Sequence, residues 1–173
     1  MNFIQWSGGG QQQQSVGFTL INSAASASTF AASINGITQA FSGNTAPGSA
    51  IAFAVPLFTS NGFEALRLVI DVSGDGDQND GIDTSNARDA ALAAGVTTIN
   101  GLPIGPPAIA AFYAANIVGG LNAFNLPVSN FADFDAAIRN KLEREIRTTV
   151  PEPASLALLS LGLFGIGALR RRT

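Results

Sequence analysis

The stretch VIDVSGDGDQNDGID, residues 69–83, places five aspartates within thirteen positions of a chain that carries twelve acidic residues in all. Leu66–Val72 reads as a strand buried on both faces, with the apolar density of a central parallel strand. The residues after it are rich in Gly, Asp and Asn, the chemistry of a turn. Three functional readings compete for the aspartates: a calcium loop, a catalytic carboxylate cluster, and a strand that ends by presenting a metal ligand. A solvated turn is the plain alternative.

As a calcium loop the stretch starts well, with Asp71, Ser73, Asp75 and Gly76 at positions one, three, five and six. Position twelve needs a bidentate carboxylate and is Ile82, with Asp83 one residue late, and a strand precedes the loop where a helix belongs. A catalytic reading needs a second group with a shifted pKa in a pocket. The chain has no histidine and no cysteine, so no obvious proton shuttle, thiol nucleophile or Ser-His-Asp triad is available. The expectation is a protein that is not an enzyme. Gly74, Gly76 and Gly81 make turn chemistry a good account of Asp77 to Asp83.

Composition narrows the field further. Oxygen ligands alone remain for a metal, which means magnesium, calcium or manganese. A net charge of −3 and the lack of any basic stripe before the extreme C-terminus exclude a nucleic-acid partner. Residues 1–63 carry no charged side chain, and neither does Ala90–Ala132.

Outward from the acidic stretch, periodicity supplies the elements. Asn2–Trp6 and Ser15–Ile21 read as an edge hairpin around the Gly/Gln tract Ser7–Gln14. Phe30, Ile34, Ile37 and Phe41 mark one face of a helix within Ser23–Phe41. A helix over Ser49–Thr59 is kinked or shortened by Pro56. Asn86–Ala94 is a helix closed by Gly95, Val96–Ile104 a strand, Ala108–Ile117 a helix and Ala123–Val128 a last strand. Phe131, Phe134, Ile138, Leu142 and Ile146 stripe a final helix, with charges on its other side. Strand and helix alternate from residue 66 on, which predicts an α/β, doubly wound, mostly parallel sheet that binds ligands at the carboxyl ends of its strands.

The C-terminus is VPEPASLALLSLGLFGIGALRRRT. Ala154–Leu169 is apolar on all sides and, as a helix, spans about 24 Å, just short of the ~30 Å hydrocarbon core. Arg170, Arg171 and Arg172 come next and would stay cytoplasmic. Pro151-Glu152-Pro153, the short membrane helix and the arginine cluster, in that order, resemble the PEP-CTERM sorting signal of Gram-negative bacteria. The resemblance implies recognition and cutting by an exosortase, with passage from the inner membrane to the periplasm, outer envelope or exterior. No basic region followed by an apolar stretch opens the chain, so the N-terminus does not read as a secretory signal.

LVIDVSGDG resembles the strand that, in von Willebrand factor A-type domains, ends in a Thr-Asp-Gly-like triplet whose aspartate reaches the ion of the metal-ion-dependent adhesion site. The resemblance makes Asp75 the ligand and matches Thr45, in the loop GNTAPGS, to the threonine such domains supply, with Asp71 and Ser73 nearby. FIQWSG, TLINSAASASTFAASI, RLVIDVSGDG, ARDAALAAGVTTINGLPI and FADFDAAIRNKLEREI together look like a bacterial family of unassigned activity with this fold, over residues 2–149. It departs from the pattern in one respect: no upstream strand carries the Asp-x-Ser-x-Ser metal motif. The chain therefore reads as an A-type domain truncated at its N-terminus, residues 1–149, whose sheet lacks its first central strand, with a sorting signal and one transmembrane helix in residues 150–173. The expected ion is Mg²⁺ or Ca²⁺, and the expected partners are the membrane, an exosortase and a protein at the strand edge.

Overall fold

The computed structural model describes residues 1–133 and 136–138. The chain divides into two units, Met1–Phe134 and Asp135–Thr173; of the second, Ala136–Ile138 is described and is helical. The expected membrane helix, the processing motif and the arginine cluster lie outside the described residues, as does most of the last striped helix. Among the described residues no helix is long and apolar enough to cross a membrane.

The first unit opens with an antiparallel hairpin of β1 (Phe3–Trp6) and β2 (Gln12–Val16). The second strand comes earlier than the sequence suggests because the turn is short: Ser7 N–H donates to the Gln11 carbonyl, and Gln11 N–H to that of Gly8. Helix α1 (Ala24–Asn35) starts at a capping box between Ser23 and Ser26, which satisfies backbone donors at the helix start. It stops at Gly36, short of Ile37 and Phe41. Gly costs helix stability, and from Thr38 on the main chain bonds elsewhere: the Thr38 carbonyl and Ala40 N–H both engage the Gln5 amide.

Helix α2 (Pro47–Ala54) begins two residues before the expected start, with proline in its first turn, where the absent N–H is no loss. It runs into a 3-10 turn, Val55–Phe58, at the anticipated Pro56. Strand β3 (Val69–Gly74) is shifted toward the acidic stretch. Its burial alternates: Ile70 and Val72 are buried while Asp71 is exposed. The strand is covered on one face, not both, as expected for a strand at the edge of its sheet. Helix α3 (Thr84–Ala93) follows, then β4 (Thr98–Pro103), buried at all six positions.

Strands β3 and β4 pair in parallel, residue 69 opposite 98 through 74 opposite 103. Helix α4 (Pro107–Asn116) leads to β5 (Gly119–Gly120), which meets the start of β4 antiparallel. The expected strand Ala123–Val128 is present as two parallel bridges to β4, Gly101 with Asn125 and Ile104 with Val128. Pro127 has no N–H to extend the ladder. Ile51, Ile70, Val72, Ile99, Tyr113 and Ile117 form the centre of the core, with Ile4 and Trp6 of β1 packed against it.

Two sheets result, β1-β2 and β3-β4-β5. Among the described residues no strand pairs the hairpin to β3.

Candidate functional site

At the carboxyl end of β3 the chain turns into Asp75–Asp83, against which three other segments pack. The first is the Thr45 loop: Thr45 N–H donates to Asn79 Oδ1 (2.8 Å), and Asn79 N–H returns a bond to the Thr45 carbonyl (3.0 Å). A Cβ at Gly76 would lie 2.9 Å from Thr45 Oγ1. Glycine at 76 thus lets the threonine hydroxyl approach the main chain immediately after Asp75.

The second segment is the hairpin turn. Asp80 Oδ2 accepts from Gly9 N–H (2.9 Å) and Asn44 Nδ2 (3.3 Å), and Oδ1 accepts from Gly81 N–H (2.7 Å). The Gly9 and Gly81 amides, helped by Asn44, hold the Asp80 carboxyl below its ordinary value. A polar cleft of about 320 Å³ lies between Gly8–Gln11 and Ser42–Asn44, closed by Asp80. The third segment is α2, whose Ser49 Oγ accepts from Ile82 N–H (3.1 Å). Gly81 has φ +72°, and a side chain there would run into Ser49.

Asp83 caps α3, accepting from Asn86 N–H (2.9 Å) and Ser85 Oγ (2.7 Å), and these bonds keep its carboxyl below its ordinary value. Gln78 Oε1 receives both Thr84 N–H and Thr84 Oγ1 at 2.8 Å. The second half of the aspartate run is thus a structural clasp, as its turn chemistry suggested. Asp80 spends both oxygens on backbone amides and Asp83 commits Oδ1 to the start of α3, a structural use that does not fit a calcium loop.

The four sequence-derived metal candidates fall in two places. Thr45 and Asp75 come to the same end of β3. Ser73 belongs to the last turn of that strand, opposite Leu102. Asp71 sits four residues back, about 13 Å along the strand from Asp75, where its Oδ1 accepts from buried Asn100 Nδ2 (3.2 Å). Among the described residues no three acidic side chains form a group that could hold a metal ion. The donors at the edge are hydroxyl and carboxylate oxygens, which suit Mg²⁺ or Ca²⁺ in kind but fall short of the six or more such ions take.

One neighbour was not legible beforehand. Tyr113, the chain's one tyrosine, is buried on α4, and its hydroxyl has no hydrogen-bond partner. A Cβ at Gly74 would meet that oxygen at 2.7 Å and the Trp6 ring at 3.2 Å. Burial raises the Tyr113 pKa, and the charge of Asp75 adds to the rise. Nothing in the helical pattern of residues 107–116 singles this residue out.

A parallel strand ending at an aspartate, a threonine loop beside it and helices on the sheet define the von Willebrand factor A-like class. Solved structures with this architecture include proximal thread matrix protein 1 from the mussel byssus. Its second crystal form has a TM-score of 0.62 at 16% identity, covering 80% of this chain and 35% of that one. The form described as having a zinc-occupied MIDAS motif has a TM-score of 0.58 at 15% identity, covering 80% and 34%. The chain thus spans about a third of the length of these neighbours. Comparison with curated proteins gives no match.

The family described as protein of unknown function DUF1194, a von Willebrand A-like family, matches residues 1–150, and the chain belongs to it. The PEP-CTERM protein-sorting motif matches residues 149–172. A von Willebrand A-like domain joined to this motif marks a protein targeted to the cell envelope.

Proposed function

We propose that the protein is a non-enzymatic envelope protein whose A-like domain binds a partner at the carboxyl end of β3, and that an exosortase recognises and cuts its tail near Pro151-Glu152-Pro153. The observation that supports the binding reading is the meeting of Thr45 with Gly76 directly after Asp75. Asp75 and Thr45 are the ligands offered to a Mg²⁺ or Ca²⁺ ion, with Ser73 next in line and Asp71 held farther back. Bound there, the ion would supply a positive Lewis-acidic centre for a carboxylate of the partner. The chain's own part is to hold the Thr45 loop in place through Asn79, which keeps the Thr45 hydroxyl beside the main chain that follows Asp75. The lack of histidine and cysteine supports the absence of catalysis.

The test is thermal unfolding with and without the ion. At a hundredfold excess over Kd, Mg²⁺ or Ca²⁺ raises Tm by about 5–10 °C, and Asp75→Ala abolishes the rise while Asp71→Asn keeps it. No metal response in the wild type would sink the ionic part of the proposal. The rival reading, a tethered structural domain without a ligand, expects that flat result.

A further inference from the structure

Asn-Gly occurs three times in the chain, at 35–36, 61–62 and 100–101, and the fold treats the three pairs differently. An asparagine before glycine is prone to cyclise, because a residue without a Cβ leaves its nitrogen free to approach the neighbouring side-chain amide. Asn100 is fully buried on β4, its amide donates to Asp71, and Gly101 N–H is held by the Phe124 carbonyl (3.0 Å). Asn35 ends α1, where Gly36 N–H bonds back to the Ala32 carbonyl (3.2 Å). Side chains on a helix lean toward its start, away from the nitrogen that follows.

Asn61 is placed otherwise. It sits half-buried in the connection between the Val55–Phe58 turn and β3, followed by exposed Gly62 with φ +81°. Among the described residues the Gly62 N–H donates to no acceptor, and a Cβ placed there meets no atom. Phe63 N–H donates to Asn61 Oδ1 (2.7 Å), a bond that closes a ring containing both Asn61 Cγ and the Gly62 nitrogen. The Phe63 ring stacks on Phe18, centroids 6.3 Å apart, which keeps this donor in place. Asn61 Nδ2 donates to the Leu57 carbonyl (2.8 Å).

We propose that Asn61 is a self-modification site, converted without an enzyme into aspartate and isoaspartate through attack by the Gly62 nitrogen. Hydroxide takes the Gly62 amide proton, the nitrogen bonds to Asn61 Cγ, the Cγ–Nδ2 bond breaks and ammonia leaves. Water then opens the cyclic imide at Cγ, giving aspartate, or at the Asn61 main-chain carbonyl carbon, giving isoaspartate. Negative charge develops on Oδ1 during the attack, where the Phe63 N–H already points, and a donor so placed stabilises the transition state. The product is the first charged side chain in residues 1–63. Its carboxylate has no proton to offer the Leu57 carbonyl, which frees the Val55–Phe58 turn from residue 61. The reaction needs no ion and is independent of the Asp75 edge.

The test ages the full chain in mildly alkaline buffer with EDTA, folded and in guanidinium, and follows each asparagine by fragment mass spectrometry. In guanidinium the three pairs react at similar rates, because their local sequences are alike. In the folded protein Asn61 reacts at least as fast as in the unfolded chain, while Asn35 slows and Asn100 slows at least about tenfold. Phe63→Ala removes the ring and keeps the N–H; Phe63→Pro removes both. Conversion of Asn61 is about tenfold slower in Phe63→Pro than in Phe63→Ala, and equal rates would overturn the role of the Phe63 donor. Folding that slows Asn61 as much as Asn100 overturns the proposal, and this comparison needs no variant, so it decides the matter if Phe63→Pro does not fold. Asn61→Asp, made directly, speeds amide exchange at Thr59 about fivefold; unchanged exchange would overturn the release of the turn.

Discussion

Asp80 shows what a single acidic residue does when its oxygens are spent on main-chain donors. With Gly9 and Gly81 amides favouring the charged form, its folded pKa lies below the ordinary 3.8. Its stabilising contribution is therefore complete above the ordinary carboxylate value and fades as pH falls through the lower folded one. Melting curves between pH 5 and 2, on the order of the carboxylate range, should show Tm falling in the wild type and a shallower fall in Asp80→Asn; identical slopes would contradict the assignment. Gly48 makes a second residue-scale case. A Cβ there would collide with the Ile82 carbonyl, so Gly48→Ala should cost about 1–3 kcal/mol in denaturant titration. That Asp75 and the Thr45 loop meet at the end of β3 was expected only from the resemblance to A-type domains, since periodicity says nothing of how two distant loops pack. Tyr113 was not legible in the sequence, because its neighbours Gly74 and Trp6 are set by packing across the whole unit.

At the scale of elements, Asn100 couples β4 to its surroundings. Fully buried, it donates to Asp71 on β3 and accepts from Phe124 N–H (3.1 Å) on the segment beyond β5. Asn100→Ala removes both bonds and should lower stability by about 2–3 kcal/mol, while Asp71→Ala, which leaves the Phe124 bond in place, should cost less; equal losses would place the burden elsewhere. Helix α3 and strand β4 were read to within about two residues at each end, the helix because Gly95 closes it, while its Asp83 cap went unread. Helix α1 was overextended because the spacing of Ile37 and Phe41 continues its stripe past Gly36, where the Gln5 amide captures the backbone instead. The placement of β3 was off by three residues for a related reason: Leu66 is apolar yet fully exposed, so hydropathy alone carried the strand too far back.

For the whole molecule, the alternation of strand and helix pointed to the α/β class. How the hairpin seats against the acidic turn was beyond reach, since glycine contacts at residues 8, 9 and 81 leave no trace in periodicity. The sorting motif bears on the fate of the whole chain. Protein recovered from fractionated cells should have a C-terminus trimmed near Pro151–Pro153 in intact-mass analysis; an untrimmed tail ending at Thr173 would argue against exosortase cutting. The uneven distribution of charge also governs how the folded chain can be cut. Trypsin-like proteases need lysine or arginine, and the first such residue is Arg67, in the connection beside fully exposed Leu66 that leads from the Val55–Phe58 turn to β3. The next, Arg88, is engaged with Asp89 and the Ala115 carbonyl. Digestion within residues 1–133 should begin with one nick that divides the hairpin half from the β3-β4 half, and the contact of α2 with α3 should keep the two pieces together until denaturant is added.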